Sequence, residues 1–231
     1  SAIAGLSGLA INHPNPALII SPAILRESVA SSNIENVNTT LADVIQGELF
    51  PDQERRLPDK EVLRYRDALL QAHTLIAKDD APIATRLIQQ IQKALIPGSN
   101  GEYRKQQNRI ENDLSHEVLY TPPSPPDVSP LMGDLENFIN DPDSNVDPLL
   151  RAIIGHYQFE AIHPFSDGNG RVGRILMVLQ MRKYGLLHHP ILYISAHINK
   201  NKSEYYKRLR AVSSAGDWKN YILFMLDVFE H

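Results

Sequence analysis

His163-Pro164-Phe165-Ser166-Asp167-Gly168-Asn169-Gly170-Arg171-Val172-Gly173-Arg174 places an imidazole, a carboxylate, a glycine-flanked turn and two guanidiniums within twelve consecutive residues. Upstream, Pro148 begins a run in which Leu149, Leu150, Ile153, Ile154 and Tyr157 recur with helical period. Downstream, Val172, Ile175, Leu176 and Leu179 do the same until Gly185. The stretch is therefore expected to be the turn of a helix-loop-helix unit, with its polar groups gathered where one helix ends and the next begins.

Gly168-Asn169-Gly170 would set successive backbone N–H groups around a concavity just before a helix N-terminus. Unpaired donors and the helix dipole both favour an anion there, and phosphate is the natural occupant. Arg171 and Arg174, three apart in the first turn, share a face and should reach one region. Their planar forks suit two phosphates of one polyphosphate. Asp167 is a hard oxygen ligand of the kind Mg²⁺ uses alongside phosphate oxygens. His163, with an ordinary pKa near 6.5, could take a proton from an incoming hydroxyl. Pro164 reads as a loop stiffener and Phe165 as a core anchor. Gly168-x-Gly170-x-x-Gly173 also satisfies a dinucleotide-binding expression, but that site needs a preceding strand and an acidic residue about 20 positions on. Here the approach is helical, and Tyr193 stands at that position.

The stretch resembles the signature of the Fic family, His-x-Phe-x-(Asp or Glu)-Gly-Asn-Gly-Arg-x-x-Arg, with every specified position filled. Far upstream, Ser31-Ser32-Asn33-Ile34-Glu35-Asn36 resembles the family's inhibitory motif, (Ser or Thr)-x-x-x-Glu-(Gly or Asn). Taken alone, a Ser with a Glu four residues later is more often a solvated helix face. The resemblance implies an all-α Fic fold, a helical bundle around a helix-loop-helix active site with a small β-hairpin flap. It implies two regions, 1–57 with the inhibitory helix and 58–231 as the catalytic core. The implied reaction is transfer of AMP from ATP to a Ser, Thr or Tyr hydroxyl of a target protein. His163 would be the base and Asp167 the Mg²⁺ ligand. Gly168, Asn169 and Gly170 would cradle the α-phosphate, with Gly173 in the same nucleotide-binding stretch. Arg171 and Arg174 would clamp the β- and γ-phosphates. Glu35, with Ser31 and Asn36 beside it in the motif, would pair with Arg174 and hold the enzyme inactive. The same scaffold could instead remove AMP, with Glu35 positioning a water, or transfer another phosphate-linked moiety. A catalytically silent ATP sensor is the rival from another class.

The segment from Tyr103 to Pro126 departs from helical periodicity. Glu117-Val118-Leu119-Tyr120 is the best strand candidate, and Pro122-Pro123-Ser124-Pro125-Pro126 should end it in extended backbone. A rigid spacer and a flap are both open on the residues alone; the resemblance places a flap over the nucleotide at about 103–126, where a target segment could add as a strand. Where relatives carry a glycine pair near the flap's start, this chain has Glu111-Asn112. Tyr205 falls where relatives line the adenine pocket, with helix packing an equal reading; Ser213 and Ser214 are given no role.

The remaining segments read as helices. Ser21-Pro22 looks like an N-cap and first helical residue, Thr40-x-x-Asp43 like a capping box, and Asp59, Ser203 and Asp217 like caps. Ile83, Leu87, Ile88, Ile91 and Leu95 form a stripe ending at Pro97-Gly98, and Leu131 to Ile139 forms another helix. With 231 residues, 42% apolar, the chain can bury a sizeable core. Its net charge of −4 argues against a phosphate-backbone grip on nucleic acid, and the absence of cysteine excludes disulfides. Apolar stretches are too short to span a membrane, and Ser1-Ala2-Ile3-Ala4-Gly5 lacks a signal peptide's character. A soluble cytoplasmic protein is expected, with self-modification and a homodimer left open.

Overall fold

The computed structural model describes residues 17–79, 81–111, 117–190 and 192–230. Those residues form helices α1 (Ala17–Ile34), α2 (Leu41–Gly47), α3 (Leu57–Asp79), α4 (Thr85–Leu95) and α5 (Pro125–Asn140). They continue as α6 (Pro148–Ile162), α7 (Asn169–Lys183), α8 (Ile194–Lys200), α9 (Lys202–Ala215) and α10 (Trp218–Glu230). A single antiparallel ribbon, β1 (Ile110–Glu111) with β2 (Val118–Tyr120), interrupts the bundle. The chain is all-α with a small hairpin, as its periodicity and its resemblance imply.

α6 and α7 form the central pair. Asp147 caps α6 by accepting from Leu149 N (2.9 Å) and Leu150 N (3.2 Å), and Pro148 fills the first helical position, where no N–H is needed. α7 is buried almost all round: residues 171–181 are all inaccessible. A helix buried on every side, with Arg171, Arg174 and Gln180 among its buried residues, needs neighbours on every side. α3, α4 and α6 supply them, and α1 touches α7 too. The main core joins Ile153, Phe159 and Ile162 of α6 to Val172, Ile175 and Leu179 of α7, and takes in Ile24 and Ile34 of α1 and Tyr65 and Leu69 of α3. A smaller cluster, Leu25, Val29, Val44, Val62 and Leu63, fastens α1 to α2 and α3.

Several boundaries differ from the sequence reading, each for a local reason. α1 already runs from Ala17, so Pro22 lies inside it; the ring removes one backbone donor near the start of a helix that tertiary packing then holds. Pro125 and Pro126 belong to the first turn of α5 behind the N-cap Ser124, because first-turn N–H groups have no intrahelical partner to lose. Only Pro122 and Pro123 remain outside the helix. Asp59 is not a cap: its buried carboxylate accepts from Thr39 (2.6 Å) and from Arg56 (2.8 and 2.9 Å) inside the first turn of α3. Ser203 lies within α9, whose N-cap is Asn201. The Thr40 cap is made as expected, accepting from Asp43 N at 3.2 Å. The strand candidate forms β2 at Val118–Tyr120, one residue after Glu117, and pairs Ile110 with Tyr120 and Glu111 with Val118. Asn112 and the N-terminal Ser1 to Gly5 lie outside the described residues. Among the described residues, no helix is long and apolar enough to cross a membrane.

Candidate active site

The loop between α6 and α7 is held by its own backbone and by three side chains from far away. His163 ends α6 in the left-handed region (φ 49°, ψ 59°), donating its N–H to Phe159 O (3.0 Å). A non-glycine residue in that region needs its surroundings to hold it. Arg104, 3% exposed, does so: its Nε donates to His163 O (2.9 Å), and its Nη2 to Pro123 O (2.5 Å). Asn108 donates to Phe165 O (3.0 Å) and Gln92 to Asp167 O (3.2 Å). Phe165 is fully buried against Phe159 and Tyr103, anchoring the loop as expected.

Within the turn the signature residues divide by task. Asn169 accepts from Phe165 N (2.9 Å) and donates to Phe165 O (2.8 Å), so its side chain closes the loop and only its backbone N–H is left to an anion. Gly168, the N-cap of α7, has φ 84°. A Cβ on Gly170 would overlap Glu35 Oε1 and come 3.1 Å from Arg174 Nη1. A Cβ on Gly173 would overlap Glu160 Oε1 and come 3.1 Å from the Phe159 ring, so this glycine serves the close approach of α6 and α7. Asp167 leaves the loop with its side chain 70% exposed and one oxygen on Gly168 N (2.6 Å).

Arg174, 1% exposed, is enclosed by the end of α1. Its Nε donates to Ser31 Oγ (2.7 Å), and its Nη2 donates to Ser31 O (3.0 Å) and to Glu35 Oε1 (2.8 Å). Glu35 stands in the turn that ends α1, and Asn36 follows with φ 63°. That conformation accounts for the (Gly or Asn) position of the motif, since glycine and asparagine are the residues that tolerate it. Asn36 also accepts from Lys202 Nζ (3.0 Å). Burial opposes the Arg174 charge, yet Glu35 outweighs it and the guanidinium is held protonated above its usual range.

The two signature arginines do not reach one region. Arg171, 5% exposed, donates through Nη1 to Glu61 Oε2 of α3 (2.9 Å), and its Nη2 is 3.9 Å from Asp167 Oδ1. It is absent from the walls of the cavity that Arg174 enters. That cavity, about 760 Å³, is lined by His163, Gly170 and Arg174, by Glu35 and Asn36, by Leu119 and Tyr120 of the flap and by Tyr205. Ser31 contacts Arg174 from the end of α1, and neither Glu117 nor Val118 lines the cavity. The volume falls in the usual small-ligand range of roughly 300–1,000 Å³.

The same walls contain residues that sequence reading gave no role. Arg109, Lys202 and Arg210 add positive charge, and Tyr206, Leu209 and Ser213 add surface on α9. Glu160, one turn before His163, is buried there with its carboxyl pushed up to about 7 by burial, against the pull of Arg174. His156 bridges Tyr205 OH (2.7 Å) and Gly173 O (3.2 Å), so Tyr205 both packs and lines the cavity. None of these positions repeats with a spacing that a linear motif would reveal.

Burial lowers the His163 pKa to about 4; the Glu160 carbonyl pulls the other way and Arg104 adds to the fall. The ordinary value near 6.5 therefore does not apply to the free protein, and the imidazole is neutral throughout the physiological range. An NMR titration of the ligand-free chain should place its midpoint near pH 4. A midpoint above pH 6 would contradict the buried setting.

Residues 82–181 match the Fic/DOC family model, and residues 1–74 match that of the Fic/DOC family N-terminal region. The chain belongs to the Fic/DOC family. This Fic chain is 32% identical over 162 residues to a protein adenylyltransferase Fic of Aedes aegypti, covering 68% of this chain and 30% of the relative. It is 34% identical over 118 residues to protein adenylyltransferase fic-1 of Caenorhabditis elegans, covering 51% and 22%. The chain thus spans about a third or less of the length of these relatives. Its fold superposes on the crystal structure of a Fic family protein from Desulfovibrio desulfuricans with TM-score 0.76 and 26% identity, covering 99% of this chain and 70% of that one. Fic-1 from C. elegans aligns with TM-score 0.73 at 24% identity over all of this chain and 67% of its own, a likeness of fold.

Proposed function

We propose that this Fic chain is a protein adenylyltransferase that moves AMP from ATP to a Ser, Thr or Tyr hydroxyl of a protein, restrained by Glu35. The observation that carries the reading is the contact set of Arg174 beside His163: the guanidinium suited to a terminal phosphate is occupied by Ser31 and Glu35 at the wall of a nucleotide-sized cavity. The names of the relatives from A. aegypti and C. elegans support the same chemistry.

In this reading the α-phosphate sits over the N-terminus of α7 at the Gly168–Gly170 turn, where the backbone N–H groups of Asn169 and Gly170 would face it. The target oxygen attacks the α-phosphorus while neutral His163 accepts its proton. The new O–P bond forms as the bond from the α-phosphorus to the bridging oxygen breaks, and pyrophosphate leaves. The protein's share is placement and charge stabilisation. Asp167 fits as the carboxylate for a Mg²⁺ carried by the phosphates, being exposed, oxygen-bearing and beside the anion turn. When bound, that ion neutralises charge on the leaving pyrophosphate. Tyr205 and Tyr206 would face the base, and a target segment would lie along β2. Residues 1–57 would act as the restraint on a core of residues 58–231.

The pH profile follows from the low His163 pKa. Because kcat/KM reports groups of the free enzyme, its acid limb should fall below pH 5 in a Glu35→Gly variant rather than near pH 6.5. A limb at pH 6.5 would remove His163 from the role of base. Arg174 gives a separate test. Arg174→Ala should lose transfer and should not be rescued by Glu35→Gly, because the clamp itself is gone. Recovery of labelling in the double variant would show that Arg174 does not hold the γ-phosphate.

A second reading draws on one observation. The Glu35 side chain is 31% exposed and lines the cavity with His163, so it could orient a water against an AMP–protein bond. Release of AMP from a modified target by the parent, but not by Glu35→Gly, would select that direction.

A further inference from the structure

Three charged groups lie in a row at the signature loop, beside the cavity and not on its wall. Glu61 of α3 accepts from Arg171 Nη1 at 2.9 Å, and Arg171 Nη2 lies 3.9 Å from Asp167 Oδ1. The Arg171 side chain is 6% exposed, that of Glu61 32% and that of Asp167 70%. One guanidinium therefore stands between two carboxylates and is in hydrogen-bond contact with only one of them. Asp167 Oδ1 is already engaged by Gly168 N at 2.6 Å, which leaves Oδ2 directed to other ligands.

Asp167 stands one residue before the N-cap Gly168 and Arg171 in the first turn of α7; they already form a long ion pair at 3.9 Å, and a planar fork can grip a carboxylate more tightly with two parallel bonds. Nothing in the spacing of Asp167 and Arg171 prevents that closure. The competing anchor is Glu61 on a neighbouring helix packed along α7, 110 residues away in sequence, which accepts from Arg171. We propose that Glu61 is a positioning residue that keeps Arg171 from closing further on Asp167, leaving Asp167 Oδ2 open to the divalent cation carried by the nucleotide phosphates.

Arg171 then acts through Asp167 and not on phosphate. Removing Glu61 lets Arg171 close on Asp167, which fills its lone pairs and cancels its charge. Cation affinity falls while contacts to the phosphates persist. The inference rests on the proposed nucleotide site, and its test reads binding as well as chemistry.

The experiment is a calorimetric titration of ATP into Glu35→Gly and Glu35→Gly/Glu61→Gln at a series of Mg²⁺ concentrations, with Mn²⁺ relaxation measured on the same samples. The Mg²⁺ concentration giving half the cation-dependent gain in ATP affinity should rise at least tenfold in the Glu61 variant. Cation-free ATP affinity should stay the same, and Glu61→Asp should recover part of the loss. An unchanged Mg²⁺ requirement overturns the proposal. An equal loss of ATP affinity with and without cation also overturns it, placing Arg171 on the phosphates. If Glu61→Gln fails to fold, Arg171→Gln in the same background carries the test, since it removes the competitor for Asp167. Its Mg²⁺ requirement should be unchanged or lower, and a higher one overturns the proposal. Cation-dependent ATP binding without any labelling in the Glu35→Gly parent would instead defeat the transferase reading alone.

Discussion

Glu35→Gly should raise AMP transfer from ATP at least tenfold, about 1.4 kcal/mol of barrier. The expectation comes from what Glu35 occupies. Its Oε1 is 2.8 Å from Arg174 Nη2 and fills the space that a side chain on Gly170 would take, directly over the start of α7. A terminal phosphate and this carboxylate would compete for one guanidinium and for one end of one helix dipole. Two like charges cannot share a site so enclosed, with Arg174 only 1% exposed. Removing the carboxylate leaves Ser31 as the remaining protein partner of the guanidinium and opens the turn. Self-labelling and labelling of an added target, compared with the parent at saturating ATP, measure the gain. ATP bound equally well by both forms with equal labelling would mean that the end of α1 does not restrain the site.

His163→Ala in the Glu35→Gly background should abolish transfer, a loss of at least a hundredfold on the usual contribution of about 10²–10⁴ from a positioned base. Mg-ATP affinity should remain nearly intact, because the phosphate contacts proposed here come from the turn and Arg174. His163 is placed with care: it ends α6 in a left-handed conformation, and its carbonyl is gripped by Arg104. Truncation leaves that backbone in place, so the variant separates chemistry from binding. Calorimetry beside a labelling assay reads both quantities. A parallel collapse of ATP affinity would move His163 into a structural part, and retained transfer would require another base.

What the sequence disclosed is bounded by how far its physics reaches along the chain. The α6–loop–α7 unit was legible because period, proline and glycine act over a few residues, and the same holds for the Thr40 cap and the stripe of α4. Pro22 and Pro125 were misread for a related reason: proline is disfavoured only where its missing N–H matters, and tertiary packing or a first-turn position removes that condition. The pairing of Glu35 with Arg174 spans 139 residues and followed from family resemblance, not from any local pattern. Arg104, Glu160, His156 and Glu61 were silent because each becomes meaningful only through a partner on another helix or the loop. The contact of Arg171 with Glu61 was silent by the same limit. Sharing a helical face with Arg174 fixes its direction from α7, but Glu61 on α3 decides where its guanidinium ends.

The most direct test of the account offers the Glu35→Gly chain Mg-ATP labelled at the α-phosphate and, in parallel, at the γ-phosphate, then follows label fixed to protein. The account predicts α-label retained on a Ser, Thr or Tyr side chain, γ-label released as pyrophosphate, and far less incorporation by the parent chain. Retention of γ-label, or equal α-label in parent and variant, would contradict it.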